Sequence, residues 1–254
     1  MMLEKLKLEI ARIIERNSYN EQTPLVSVRI PTLNRADLLR ERALTSVLRQ
    51  SYKNLEVMIV GDHCTDHTED VVRETALEAA TNPSTAAIKF RFYNLPERTK
   101  EEQEFLKDPE MRWFIGPVRP NNKANELLTG KWIAHLDDDD TWTDNHILDL
   151  LKFAQEGNYE FVSANYLAER EGTEKIIADG GQTWLFRSYL KLFKYDKNCW
   201  KKKWNRVHDI DFYERLKKAG VRMGHLDKVV AFVRPRPGQD TIGLSAYKKY
   251  NDTI

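Results

Sequence analysis

Three short apolar runs, each stopping abruptly at polar residues, constrain this chain more than any other feature. Residues 25–30 (LVSVRI) stop at Pro31, residues 55–60 (LEVMIV) at Gly61 and Asp62, and residues 131–136 (KWIAHL) at Asp137. Such runs, rich in β-branched residues and separated by helical patterns, predict an α/β fold with parallel strands and right-handed crossovers. In open α/β sheets ligands bind beyond the carboxyl ends of strands. Three polar strand ends therefore predict one nucleotide-sized crevice.

The remaining pattern fills in the fold. Helices are expected over residues 36–50, 66–80, 121–129, 145–155 and 209–219. Further strands are expected over 88–93, 161–166 and 228–233, with a strand or bend at 184–187. Residues 95–112, highly charged and broken by Pro96 and Pro109, read as a surface insertion. We divide the chain into an N-terminal amphipathic helix (1–20), a single domain (21–240, halves meeting near 142/143) and a C-terminal tail or helix (241–254). In the first of these, Leu3, Leu6, Ile10, Ile13 and Ile14 share one helical face. That face is expected to pack on the domain or on a partner subunit, which would make a homo-oligomer; peripheral membrane attachment is the alternative.

Composition excludes several classes. Two Cys in 254 residues cannot staple the fold, so Cys64 and Cys199 are expected as free thiols in a reducing, cytoplasmic setting. Forty Lys and Arg against 39 Asp and Glu leave a net charge of +1, too little for a general grip on nucleic acid. The apolar runs are far shorter than the roughly 20 residues of a spanning helix. Charge is nevertheless segregated. Residues 137–144 hold five Asp and no base, and residues 197–206 hold four Lys and one Arg and no acid.

The chemistry concentrates at the strand ends. Asp137 to Asp140 repel one another unless something positive compensates them, and a hard divalent cation with oxygen ligands does so. The alternative is a solvated acidic turn leading into the next helix. Asp62 can accept hydrogen bonds from a nucleoside, and Asp66 or Thr65 can cap a helix. His63 and His67 lack a third ligand nearby and make a poor metal pair. Thr32 and Asn34 add short polar groups to the first strand end, and Arg35 lies close to a helix start. Asp209 and Asp211 precede a helix, where acidic residues are ordinary; one of them facing the acidic run would be placed as a general base.

The order PTLNR, VGDHCTD, an Asn-bearing helix ending at Gly130, WIAHLDDDDTW and HDIDFYERL resembles the family 2 glycosyltransferases of the GT-A fold across residues 25–235. The resemblance implies a Rossmann-like, mixed but mainly parallel sheet flanked by helices, with a less regular acceptor-side C-terminal part. It implies an inverting transfer from a nucleotide diphosphate sugar, UDP favoured, to a hydroxyl of a glycan, a lipid-linked or another acceptor, with Mn²⁺ or Mg²⁺ as cofactor, at the inner face of the membrane or free in the cytoplasm. Carried over residue by residue, it assigns the donor nucleotide to Pro31, Thr32, Asn34, Arg35, Asp62, Asn122, Asp137 and Asp138. Asp139, with Asp137, becomes the metal ligand, and Asp209 the catalytic base. Trp184, Trp204, His208 and Arg236 are the expected acceptor or diphosphate contacts. The chain departs from the family in His208 where Glu is usual, in Pro120-Asn121-Asn122 where Ala-Arg-Asn is frequent, and in Arg236 where some relatives carry a metal-binding His. Arg119 could stand in for the missing Arg. A sugar-1-phosphate nucleotidyltransferase is the runner-up, but residues 25–40 contain none of the glycines of its phosphate loop. A non-catalytic carbohydrate- or cation-binding module is the third reading.

Overall fold

A computed structural model describes residues 2–16, 21–203 and 206–250. In chain order the elements are α1 (Met2–Ile14), β1 (Val26–Thr32), α2 (Ala36–Leu38), a π-helical segment Leu39–Leu44, α3 (Thr45–Leu48), β2 (Leu55–Gly61), α4 (Thr68–Thr81) and β3 (Lys89–Asn94). Then follow α5 (Lys100–Phe105), α6 (Pro109–Ile115), α7 (Val118–Leu127), β4 (Trp132–His135), β5 (Thr141–Trp142) and α8 (His146–Glu156). The last third holds β6 (Phe161–Arg170), β7 (Thr173–Ala178), β8 (Leu185–Arg187), α9 (His208–Ala219), β9 (Met223–Val233) and α10 (Leu244–Tyr250).

The strands form one mixed sheet ordered β3-β2-β1-β4-β8-β6-β9-β5, with β7 on β6. Its first half is parallel: β1 lies between β2 and β4, and β3 pairs with β2. Alternation along each strand feeds two cores. Val26, Val28, Ile30, Leu55, Val57, Ile59, Trp132 and Ala134 face the helices α2, α3, α4 and α8. Met58, Val60, Ile133, Phe161 and Phe186 face the opposite side, with α7, α9 and Leu8 of α1. Each such buried aliphatic side chain contributes about 1.5–3 kcal/mol. This architecture matches the expected GT-A type α/β fold, and Cys64 and Cys199 are both free and buried.

Several elements differ from the sequence expectation. The helix expected over 36–50 is interrupted by the π segment, and that segment carries Arg42 to the site. The helix expected from 121 begins at Val118 and includes Pro120 in its first turn, where a missing N–H costs nothing. The hairpin β6–β7 was not expected. Its turn, Glu171-Gly172, has φ of 50° and 70°, the paired left-handed residues of a tight two-residue hairpin. The segment 95–112 is not a mere surface insertion, because it folds into α5 and the start of α6 and lines the cavity at the strand ends. The apolar face of α1 is turned away from the body, against the expectation of packing on the domain: Leu3, Leu6, Ile10, Ile13 and Ile14 are 48–75% exposed, while Leu8 is fully buried.

One buried group ties the sheet's far edge to pH. His146 stacks on Trp142 with ring centroids 4.0 Å apart, and its Nδ1 donates to Val230 O at 3.0 Å. Complete burial depresses its pKa from 6.5 to about 3. The unfolded chain takes up a proton below pH 6.5 that the folded chain refuses until about pH 3, so stability falls as the medium acidifies through that window. At pH 5 this amounts to about 2 kcal/mol. Urea unfolding at pH 7.5 and pH 5 is expected to show a drop smaller by about that amount in His146→Gln than in the wild type.

Candidate active site

The three polar strand ends open into one cavity of about 720 Å³. Pro31, Thr32 and Arg35 line it from the end of β1, Asp62 from β2, and Asp137 to Asp140 from β4. Gly61 makes room for this junction: a Cβ there would sit 2.6 Å from Asn94 Oδ1. Asn94 in turn brackets the loop after β2, accepting from Cys64 N and donating to Cys64 O, both at 2.8 Å.

The acidic run is held by basic partners from four elements. Arg29, fully buried in β1, donates through Nε to His135 Nδ1 at 3.2 Å, and His135 Nε2 lies 3.1 Å from Asp137 Oδ1. With Nδ1 accepting, the imidazole proton sits on Nε2 and points at Asp137. Burial pushes the Asp137 pKa up, but attraction to His135 and that hydrogen bond outweigh it, and the net direction is down. Asp138 pairs with Arg35 at 3.0 Å, yet burial dominates and its pKa rises. Asp139 Oδ2 accepts from Arg236 Nε at 2.6 Å. Asp140 is raised well above the ordinary range, first by burial and then by its three acidic neighbours. Arg42, in the π segment, donates to the carbonyls of Asp139 (2.8 Å), Arg234 (2.9 Å) and Pro235 (2.6 Å). It thus clamps the acidic run to the C-terminal segment that carries Arg236, consistent with the frequent placement of π-bulges at functional sites.

Asp62 is buried and already engaged. Arg98 Nε donates to its Oδ2 at 2.8 Å and Arg119 Nη1 lies 3.5 Å from its Oδ1. Arg98 also donates to Gly116 O, and Arg119 to Pro96 O. The two guanidiniums bind this strand end to the flanks of α6 and α7. A nucleoside entering here meets donors and an acceptor side by side. Nothing in the sequence singles out Arg98, which stands in a run of charges that reads as solvated surface.

Asp209 lies in the first turn of α9 and lines the same cavity, its Oδ1 accepting from Ile210 N at 2.7 Å. Asp211 is turned inward instead, bound by Lys202 and by Arg215 Nε at 2.9 Å. His208 is buried with Nδ1 donating to Phe114 O at 3.1 Å, and burial lowers its pKa. Trp184 lines the cavity from a buried position, with Nε1 donating to Asp179 Oδ1 at 2.7 Å. Two expected donor residues are placed elsewhere. Asn34 (φ 49°) accepts from Thr65 N at 2.7 Å and from Asp66 N at 3.3 Å. Asn122 brackets the backbone of Tyr195 with bonds of 2.9 and 2.8 Å. Both side chains are spent on joining loops. Trp204 lies outside the described residues, and Lys202 of the basic loop pairs with Asp196 and Asp211. His67 pairs with exposed Asp37.

The roof comes from the C-terminal segment and the insertion. Arg236 lies over Tyr247 at 5.4 Å, Tyr247 meets Trp113 edge-on at 5.5 Å, and Lys248 pairs with Glu110 at 2.8 Å. The carboxylate oxygens of Asp137 and Asp139 are the hard donors that Mg²⁺ or Mn²⁺ takes. Among the described residues no three His, Cys, Asp or Glu groups assemble a metal cage. Both carboxylates line the cavity, and their oxygen chemistry fits a hard divalent cation.

The decisive comparison is with a family model described as glycosyl transferase family 2, which matches residues 27–98 and 114–216. The chain belongs to glycosyl transferase family 2. The matched stretches contain the three polar strand ends after β1, β2 and β4 and α9 as far as Leu216, whereas 99–113 and everything after 216, β9 included, fall outside. Among curated relatives it is 30% identical over 149 residues to a GalNAc(5)-diNAcBac-PP-undecaprenol beta-1,3-glucosyltransferase of Campylobacter jejuni, covering 59% of this chain and 40% of that one. It is 30% identical over 151 residues to a putative teichuronic acid biosynthesis glycosyltransferase of Bacillus subtilis, covering 59% and 50%. The match thus spans half or less of the length of these relatives. Among solved structures, S. aureus TarS 1–349 in complex with UDP-GlcNAc superposes with a TM-score of 0.64 at 18% identity, over 87% of this chain and 60% of that one. The mannosyltransferase PcManGT from Pyrobaculum calidifontis, in complex with GDP-Man and Mn²⁺, gives 0.61 at 18%, over 93% and 68%. At this identity the likeness establishes the GT-A fold.

Proposed function

We propose that this family 2 protein is an inverting glycosyltransferase that moves a sugar from a nucleotide diphosphate, UDP favoured, to an acceptor hydroxyl. The observation that carries the reading is one cavity lined both by the acidic run and by Asp209. A binding module has no need of the second carboxylate.

Asp209 takes the proton from the acceptor hydroxyl as that oxygen attacks the anomeric carbon. The bond from that carbon to the diphosphate breaks on the opposite face, and its electron pair leaves with the phosphate. No protein nucleophile is required for one displacement with inversion. Asp139 and Asp137 would hold a divalent cation, which when bound neutralises charge on the diphosphate. Arg236 and Arg35 are placed to contribute further positive charge there, the guanidinium fork being suited to phosphate oxygens. Asp62 with Arg98 and Arg119 offers both hydrogen-bonding senses to a base, and Pro31 and Thr32 line the same end. His208 is fixed by the backbone of Phe114 and borders the base at Asp209. The C. jejuni relative's name specifies an undecaprenol-linked acceptor, which supports a lipid-linked acceptor here.

The test is thermal unfolding with nucleotide diphosphates and Mn²⁺. UDP with Mn²⁺ is expected to raise the midpoint by several degrees, on the order of 2.7 kcal/mol of stabilisation at a hundredfold excess over Kd. GDP and dTDP are expected to do less, and Mn²⁺ alone least. No shift with any nucleotide diphosphate rules the reading out.

A further inference from the structure

The helix α1 is mounted the wrong way round for a helix that completes a core. Its polar side faces the body: Arg12 Nε donates to fully buried Glu160 at 2.7 Å and Arg12 Nη2 to Gly220 O at 2.9 Å. Glu15 meets Lys131 at 3.1 Å and Arg187 at 3.4 Å, and Glu4 lies 3.8 Å from Arg215. Leu8 alone of its large aliphatic residues is fully buried, in the core that also holds Leu190 and Phe193. The opposite side presents Leu3, Leu6, Ile10, Ile13 and Ile14 to solvent. An ordinary surface helix does the reverse. The ion pairs hold the helix rigidly on the domain while its apolar stripe stays outward.

We infer that this stripe lies in the headgroup boundary of an anionic lipid surface, with the catalytic domain held above it. Two observations select lipid over a second copy of the chain. Apart from Glu9, which Arg12 occupies, the exposed charges along and just past α1 are Lys5, Lys7 and Arg16. At about 100° per residue Lys7 borders the stripe on one side and Lys5 and Arg16 lie beyond Glu9 on the other. An apolar stripe on one face with exposed basic residues on the polar remainder is the pattern of a helix lying in an anionic interface. The area points the same way. A helix of this length is about 20 Å long and about 10 Å wide, so two stripes pressed together bury roughly 400–800 Å². Specific stable dimers bury about 1,200 Å² or more in total. A lipid surface has no such threshold and accepts the stripe by its apolar depth. The inference stands independently of the donor and of the proton transfer proposed above.

Flotation of the full chain on vesicles tests it, with phosphatidylcholine alone against a mixture in which about one lipid in three is phosphatidylglycerol. The protein is expected to float with the mixed vesicles, and to be recovered there about tenfold less when Ile10→Glu and Ile13→Glu are combined. Both positions are exposed, so the variant's far-UV spectrum and its stabilisation by UDP with Mn²⁺ are expected to stay as in the wild type. Sedimentation velocity without lipid is expected to give a monomer. Three results overturn the inference: no flotation with either vesicle, equal flotation of the variant, or a dimer in sedimentation that the double substitution dissolves.

Discussion

Asp209→Asn is expected to lower kcat by about 10²–10⁴-fold, the usual contribution of a positioned general base, with KM for the donor and the UDP-induced stabilisation within about twofold of wild type. Asn keeps the size of the side chain and the oxygen that accepts from Ile210 N, so the first turn of α9 is preserved. What it loses is the ability to take a proton. The loss of a carboxylate at a helix N-terminus costs about 0.3–1 kcal/mol in stability, too little to affect turnover by itself. A single-turnover assay separates the chemical step from binding. Wild-type turnover in this variant would reject Asp209 as the base. Asp211→Asn cannot serve as a matched control, because Asp211 is buried between Lys202 and Arg215 and its loss attacks the fold.

The second large effect is expected at Asp139. Asp139→Ala is expected to remove the Mn²⁺-dependent part of donor binding, weakening UDP in the presence of Mn²⁺ by at least about tenfold, since Asp139 is proposed, with Asp137, to hold the cation. Titration of free Mn²⁺ by electron paramagnetic resonance reads metal binding directly, without turnover. Arg236→Ala provides the counterpart. Its guanidinium sits on Asp139 Oδ2 at 2.6 Å, in the place of a competing cation. Removing it is expected to strengthen Mn²⁺ binding to the free protein while weakening UDP. If Asp139→Ala binds Mn²⁺ and UDP as the wild type does, the metal assignment fails. If Arg236→Ala weakens Mn²⁺ and UDP alike, the arginine is an aid to the cation and not its rival.

The strand ends were legible because buried parallel strands write themselves as apolar runs, and the acidic run follows one of them directly. The partners of those strand ends were not. Asp209 and Asp211 sit two residues apart in the first turn of the same helix, and only the family resemblance, not periodicity or charge, singles out Asp209; Lys202 and Arg215 claim Asp211. Arg98 finds Asp62 across 36 positions, a pairing that local charge density disguises as surface. Asn34 and Asn122 offered the right chemistry for a ligand, but each satisfies backbone groups of a neighbouring loop, which a short amide does as readily. For α1 the amphipathic pattern was plain, while the side that faces the body was fixed by buried Glu160, far away in the chain.

The wall formed by α6 and α10 carries a consequence for how this enzyme could be altered. Residues 99–113 and the chain beyond 216 both fall outside the family match, yet Trp113 meets Tyr247 and Glu110 meets Lys248 across the cleft's roof. Through these contacts α6 and α10 pack as one unit over the cavity. Grafting either half from a relative would strand its counterpart, so the two are expected to be exchangeable only together.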